Sequence, residues 1–107
     1  MSTPFPLTIG GKQYTALPPS FGFQKAHKSE MKRLEAGQMA GDESQEYMAS
    51  VIVHCIKRAM PDIDVAELED NLDSIEITHA SVEIGRQIHI QTAAVLGVDM
   101  LGERKAG

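Results

Sequence analysis

Apolar positions recur along this 107-residue chain with two different periods. Near the start they alternate with polar ones. Leu7 and Ile9 precede a double glycine, and Tyr14 and Ala16 follow it. Alternation marks a half-buried strand, and Gly10-Gly11 supplies the positive φ angles of a two-residue hairpin turn. The pattern predicts a hairpin over about residues 7–17, with residues 1–5 as a frayed start. A two-stranded hairpin is marginal in water by itself. It is therefore expected to pack on helices or to pair with the edge of another chain. Pro18-Pro19 cannot extend the ladder and forces extended backbone.

From Ser20 onward the spacing is helical. Ser20 is an N-cap candidate. Phe23, His27, Met31 and Leu34 predict a first helix over about 21–36, with a basic side made by Lys25, Lys28, Lys32 and Arg33 and a stop at Gly37. Met48, Val51, Ile52, Cys55, Ile56 and Ala59 form the amphipathic stripe of a second helix over about 43–60, capped by Asp42 or Ser44 and stopped by Pro61. Asp64 and Glu67 have capping-box spacing, which predicts a short helix over about 65–72 with Val65, Leu68 and Leu72 inward.

The last element, about 76–96, is ambiguous by period. Ile75/Ile77, Val82/Ile84 and Ile88/Ile90 alternate as in a strand, while Ile77, Ile84, Ile88 and Val95 also fit a helix. Some twenty residues without a turn signal are too many for a strand, so a helix is expected, closed by Gly97. Its β-branched residues lower helix propensity, so packing must hold it. Together these elements predict a mainly α fold: a small bundle of about four helices behind a short N-terminal β-hairpin. The chain reads as one domain over 1–107, with a helical body over about 21–97 and a loose tail at 98–107.

Composition adds a core without tryptophan, with 5% aromatic residues, which must rest on Ile, Val, Leu, Met and Ala. The net charge of −5 is unevenly spread. Residues 1–58 carry +2 and residues 59–107 carry −7. Eight acids and no Lys or Arg lie between Arg58 and Arg86. Phosphate contacts need Lys and Arg, so this half argues against a nucleic-acid surface. It reads either as a solvated acidic face or as a docking face for a basic partner, the basic helix of a neighbouring copy included. No apolar run approaches a membrane span and no signal-peptide pattern is present, so a cytoplasmic location and no membrane partner are expected.

Candidate chemistry is sparse. The single cysteine, Cys55, falls in the apolar stripe of the second helix and is expected to be a core thiol. His27, His54, His79 and His89 have no chelating i, i+3 or i+4 relation, and there is no HExxH, CxxC, GxSxG or phosphate loop. The acids of 62–76 lack the glycine and terminal glutamate of a calcium loop. No catalytic residue, metal or cofactor is expected, and the chain reads as a non-enzyme. The last helix carries more apolar residues than one core face needs, so it is either central in the bundle or buried against a partner. Gly85 either permits close helix approach or is a tolerated small residue. The residues expected to bind a partner are Ile77, Ile84 and Ile88, as an exposed apolar side of this helix, with Lys25, Lys28 and Lys32 of the first helix as a second candidate.

The stretch IGGKQYTALPPSFG, from Ile9 to Gly22, resembles the opening of tail assembly chaperones of long-tailed phages. Ile9, Gly10, Gly11, Tyr14, Leu17, Pro18, Ser20, Phe21 and Gly22 match that family's hairpin, proline and Ser/Thr-hydrophobic-Gly helix start. The central amphipathic helix, the acidic PDIDVAELEDNLD segment and the closing AAVLGV extend the similar order over about residues 7–98. Pro19 and the β-branched last helix depart from the family pattern. The resemblance implies a chaperone that binds the tape measure protein, helps tail tube protein polymerise around it, and leaves before the virion matures. It also implies that a longer, frameshifted form is common, for which the tail would suit as a junction. The alternatives are a structural phage subunit such as a head-tail connector protein, or a small helical interaction module that forms a homo-oligomer.

Overall fold

The computed structural model describes residues 2–97. Two antiparallel strands, β1 (Phe5–Ile9) and β2 (Lys12–Ala16), are followed by α1 (Phe21–Ala26), α2 (Lys28–Glu35), α3 (Gly41–Ala59), α4 (Val65–Asp70) and α5 (Ser74–Leu96). The mainly helical fold with an N-terminal hairpin is as the sequence predicts. The expected loose tail at 98–107 lies outside the described residues.

The hairpin pairs Phe5 with Ala16 through Ile9 with Lys12. Gly10 and Gly11 turn it at φ 59° and 77°, values that cost an L side chain energy and glycine almost none. Alternate residues Phe5, Leu7, Ile9, Tyr14 and Ala16 are buried, while their neighbours face water. This is the period-2 rule applied to one covered face. That face lies across the pair α3 and α5, with β2 against α3 and β1 against α5. Leu17 N–H donates to the Cys55 carbonyl at 3.0 Å and fixes the strand end to α3. The expected frayed start is overturned. Phe5 is a core residue, and Thr3 exchanges two hydrogen bonds with the Gln91 side chain at 2.7 and 2.8 Å.

The rest of the core comes from Ile52, Cys55 and Ile56 of α3, Leu68 of α4, and Ile77, Ala80 and Ile84 of α5. α5 is a single 23-residue helix, so length, not local alternation, decided its type. Its N-terminus is capped by Asp73, which accepts from Glu76 N–H at 2.8 Å. Asp64 caps α4 in the same way from Glu67 N–H at 3.2 Å. Gly97 ends α5 in the left-handed region at φ 71°.

Two helix boundaries differ from expectation. α3 starts at Gly41 after Ala40, with no side-chain cap. Asp42 and Glu43 instead lie in its first turn, where carboxylates favour the helix dipole. The helix expected over 21–36 is broken at His27, whose φ and ψ are −111° and 21°. The break gives five helices among the described residues, and it lets both halves reach α3: Phe23 through a ring stack on His54, Arg33 through an ion pair with Glu43.

A β-carbon on Gly10 would lie 3.1 Å from the Asn71 β-carbon, whereas one on Gly11 would meet open space. Gly10→Ala is therefore expected to cost about 1–3 kcal/mol, from positive φ and contact together, and Gly11→Asn well under about 1 kcal/mol. Urea denaturation of both variants checks the difference. Ile84, 3% exposed, is expected to cost about 2–5 kcal/mol when changed to Ala. A loss below about 1 kcal/mol in the same experiment would contradict its place in the core.

Candidate functional site

Neither α1 nor α2 contains a buried residue. The pair forms an arm held on the body by polar and aromatic contacts. Ser20 caps α1, accepting from Phe23 N–H at 3.1 Å, and its own N–H donates to His54 Nε2 at 3.2 Å. The Phe23 ring stacks on His54 with centroids 4.2 Å apart and planes at 15°. His27 lies against Phe23, 4.3 Å between centroids, and 6.0 Å from the Tyr47 ring. Arg33 grips Glu43 with two hydrogen bonds of 2.6 and 2.9 Å. Arg58 donates to the Pro18 carbonyl.

The electrostatics follow from this arrangement. Burial, then the Arg58 and His27 charges, hold His54 below its ordinary pKa. Its neutral ring is therefore the form that accepts from Ser20. Burial, with Glu30 and Glu35 nearby, pushes the Tyr47 hydroxyl up and keeps it neutral. The Arg33 guanidinium holds Glu43 below the usual carboxylate range. Burial pushes Cys55 up to about 12, so it supplies no thiolate nucleophile at neutral pH. Among the described residues, no three of His, Cys, Asp or Glu converge as a metal site, and no helix is long and apolar enough to cross a membrane.

The outer side of the arm carries the most exposed aromatic residue among those described. Phe21 is 77% exposed. With Gln24, Lys25, Lys28 and Met31 it lines an open groove. Gln24 also lines the next groove, where Pro18, Pro19, Ile88, Val95 and Leu96 stand among the polar residues Ser2, Gln91 and Thr92. Val95 and Leu96 are 68% and 69% exposed. The two grooves thus adjoin across one glutamine, giving an apolar track bordered by lysines.

The structure treats the expected partner residues unequally. Ile77 and Ile84 are buried in the core, and Ile88 is half-buried against it. They are not an exposed face, because their side of α5 is the one covered by β1 and α3. The exposed apolar residues of α5 are Ile75, Val82, Val95 and Leu96. Lys25, Lys28 and Lys32 are exposed, and the first two border the groove. Phe21 had appeared in the sequence only as part of the helix-start motif. Its signal was its position off the line of Phe23 and His27, whose rings lie against His54 and Tyr47 of α3.

Compared with family models, with curated proteins and with solved structures, the chain matches none. The functional reading therefore rests on the residues themselves.

The site makes one pH-dependent claim. Part of the burial that lowers the His54 pKa comes from the arm, through the Phe23 ring and Ser20, so protonation disfavours docking: the His54 contribution is full above about pH 6.5 and diminishes as pH falls below that value. Trypsin cleavage at Lys25 and Lys28 is expected to be faster at about pH 5.5 than at about pH 7.5, after correction for trypsin's own pH profile. His54→Phe keeps a ring but neither accepts nor titrates, so its cleavage is expected to be fast at both values. Equal corrected rates for the unaltered chain at the two pH values would refute the claim.

Proposed function

We propose that this chain is a non-catalytic assembly chaperone of the long-tailed-phage tail type, acting by reversible binding to a helical partner, the tape measure protein. Under this reading it shields apolar stripes of that long protein until tail tube protein polymerises around it, and it is absent from the finished particle. The observation that carries the reading is the arm. Two helices without a buried residue present Phe21 between lysines, directly after the hairpin and double proline where the family resemblance is concentrated. An exposed aromatic anchor with a cationic border suits an amphipathic helix with carboxylates beside its apolar stripe. Surface lysines contribute steering and register more than affinity, and the apolar track supplies the contact area.

The test is co-expression with the tape measure protein encoded by the same phage or prophage, followed by affinity capture and sizing. The expected result is a soluble complex, with the tape measure protein aggregating when expressed alone. Phe21→Asp is expected to weaken capture about tenfold or more, since an anchor of this kind contributes over about 1.4 kcal/mol. It should leave the fold intact because Phe21 packs on nothing buried. Absence of any complex, with the chain recovered instead from purified particles, would replace this reading with that of a structural subunit such as a connector protein.

A further inference from the structure

We propose that the outer face of α5 is a self-docking surface, on which a second copy of this chain pairs antiparallel. The inference does not rest on the chaperone reading, although Thr92 and Leu96 of this face also line the groove beside Gln24. It starts from spacing. Ile75, Val82, His89 and Leu96 follow one another at intervals of seven, and Thr78, Gly85 and Thr92 stand three residues after the first three of them. These are the a and d positions of a heptad seam sustained over the length of the helix. All seven residues are exposed. The buried residues Ile77, Ala80 and Ile84 occupy the opposite side of the same helix. α5 therefore has one side used by its own core and an outer side on which the apolar residues Ile75, Val82 and Leu96 alternate with Thr78, Gly85, His89 and Thr92.

Size complementarity selects the occupant. The a positions 75, 82 and 89 are large and the d positions 78, 85 and 92 are small. Two copies related by a twofold axis between residues 83 and 84 place Ile75, Val82 and His89 each opposite a small residue, with Leu96 beyond the paired stretch. Ile75 then faces Thr92 of the other copy, Val82 faces Gly85, and His89 faces Thr78. A foreign helix would need the same alternation in reverse order; this chain already supplies it. Such an isologous pairing closes on itself and needs no third component.

Gly85 supports the same conclusion. Glycine inside a helix costs stability relative to other residues. A β-carbon there would meet nothing within 4 Å, so the fold of the single chain does not require it. Close approach of a second helix does. The seam itself contains no Asp, Glu, Lys or Arg. Arg86 at its border is already paired with Glu83 at 2.8 and 3.0 Å. The paired stretch, residues 75–92 of each copy, is about 26 Å long, short for a permanent interface, so the dimer is reversible.

The experiment is sedimentation of the full chain from about 1 μM to about 500 μM, the range in which a weak dimer dissociates. The expected result is a monomer–dimer equilibrium, weakened at least about tenfold by Val82→Asp. Gly85→Glu separates association from folding: it is expected to raise the thermal midpoint, as a better helix former, while weakening the dimer. Register is read by oxidative cross-linking. Thr78→Cys with His89→Cys should give a covalent dimer and Thr78→Cys alone should not, Cys55 being buried. A monomer throughout the range, or variants that dimerise as the unaltered chain does, would overturn the proposal. Equal cross-linking by the single variant would overturn the antiparallel arrangement.

Discussion

The hairpin's covered face is the contact on which the body depends. Phe5, Leu7, Ile9, Tyr14 and Ala16 supply five of the thirteen buried hydrophobic residues among those described. They lie over α3 and α5 and close the side of that pair that would otherwise face water. The dependence runs both ways, because two strands alone do not hold in water. The tight turn at Gly10 rests against Asn71, at the end of α4, so hairpin, α3, α4 and α5 form one packed unit.

Outside that unit the construction changes. The α1–α2 arm contributes no buried residue, and it is placed by a ring stack, an imidazole acceptor and one bidentate ion pair. Such contacts are individually modest and are sensitive to proton and salt concentration. The arm can therefore move without unfolding the core, and low local stability is usual for elements that engage partners. The two surfaces proposed to bind meet: the track runs from Phe21 on the arm to Val95 and Leu96, where the outer side of α5 ends.

Much of the fold was legible from side-chain period alone. The alternation around Gly10-Gly11, the stripe from Met48 to Ala59, and the Asp64 cap are local signals with local causes, and each appears in the structure. Phe5 extends the Leu7/Ile9 alternation by one step and was missed because Pro4 and Pro6 beside it read as strand breakers; Pro6 sits at an exposed position of the strand, opposite Thr15. The break at His27 was missed for a different reason. The apolar spacing runs through it unbroken, and its cause is where Phe23, His27 and Arg33 find partners on α3. Of the candidate residues on α5, Ile77 and Ile84 belong to the core, while Ile88 lines the groove beside Gln24. Ile77 and Ile84 share a spacing of seven with Ile75 and Val82, two residues earlier, and spacing cannot say which stripe the core will take.

The sequence by itself determined which segments are strand and helix, where several of them start and stop, and that α5 has apolar residues to spare. These are properties of one segment and its own backbone. The tertiary structure alone decided which stripe of α5 is core, that the first helix divides, and that Phe21 stands in water while Phe23 stacks on His54. Each of those outcomes depends on a neighbour distant in sequence. A side chain's period names the face it belongs to; only the packed neighbour determines whether that face is covered.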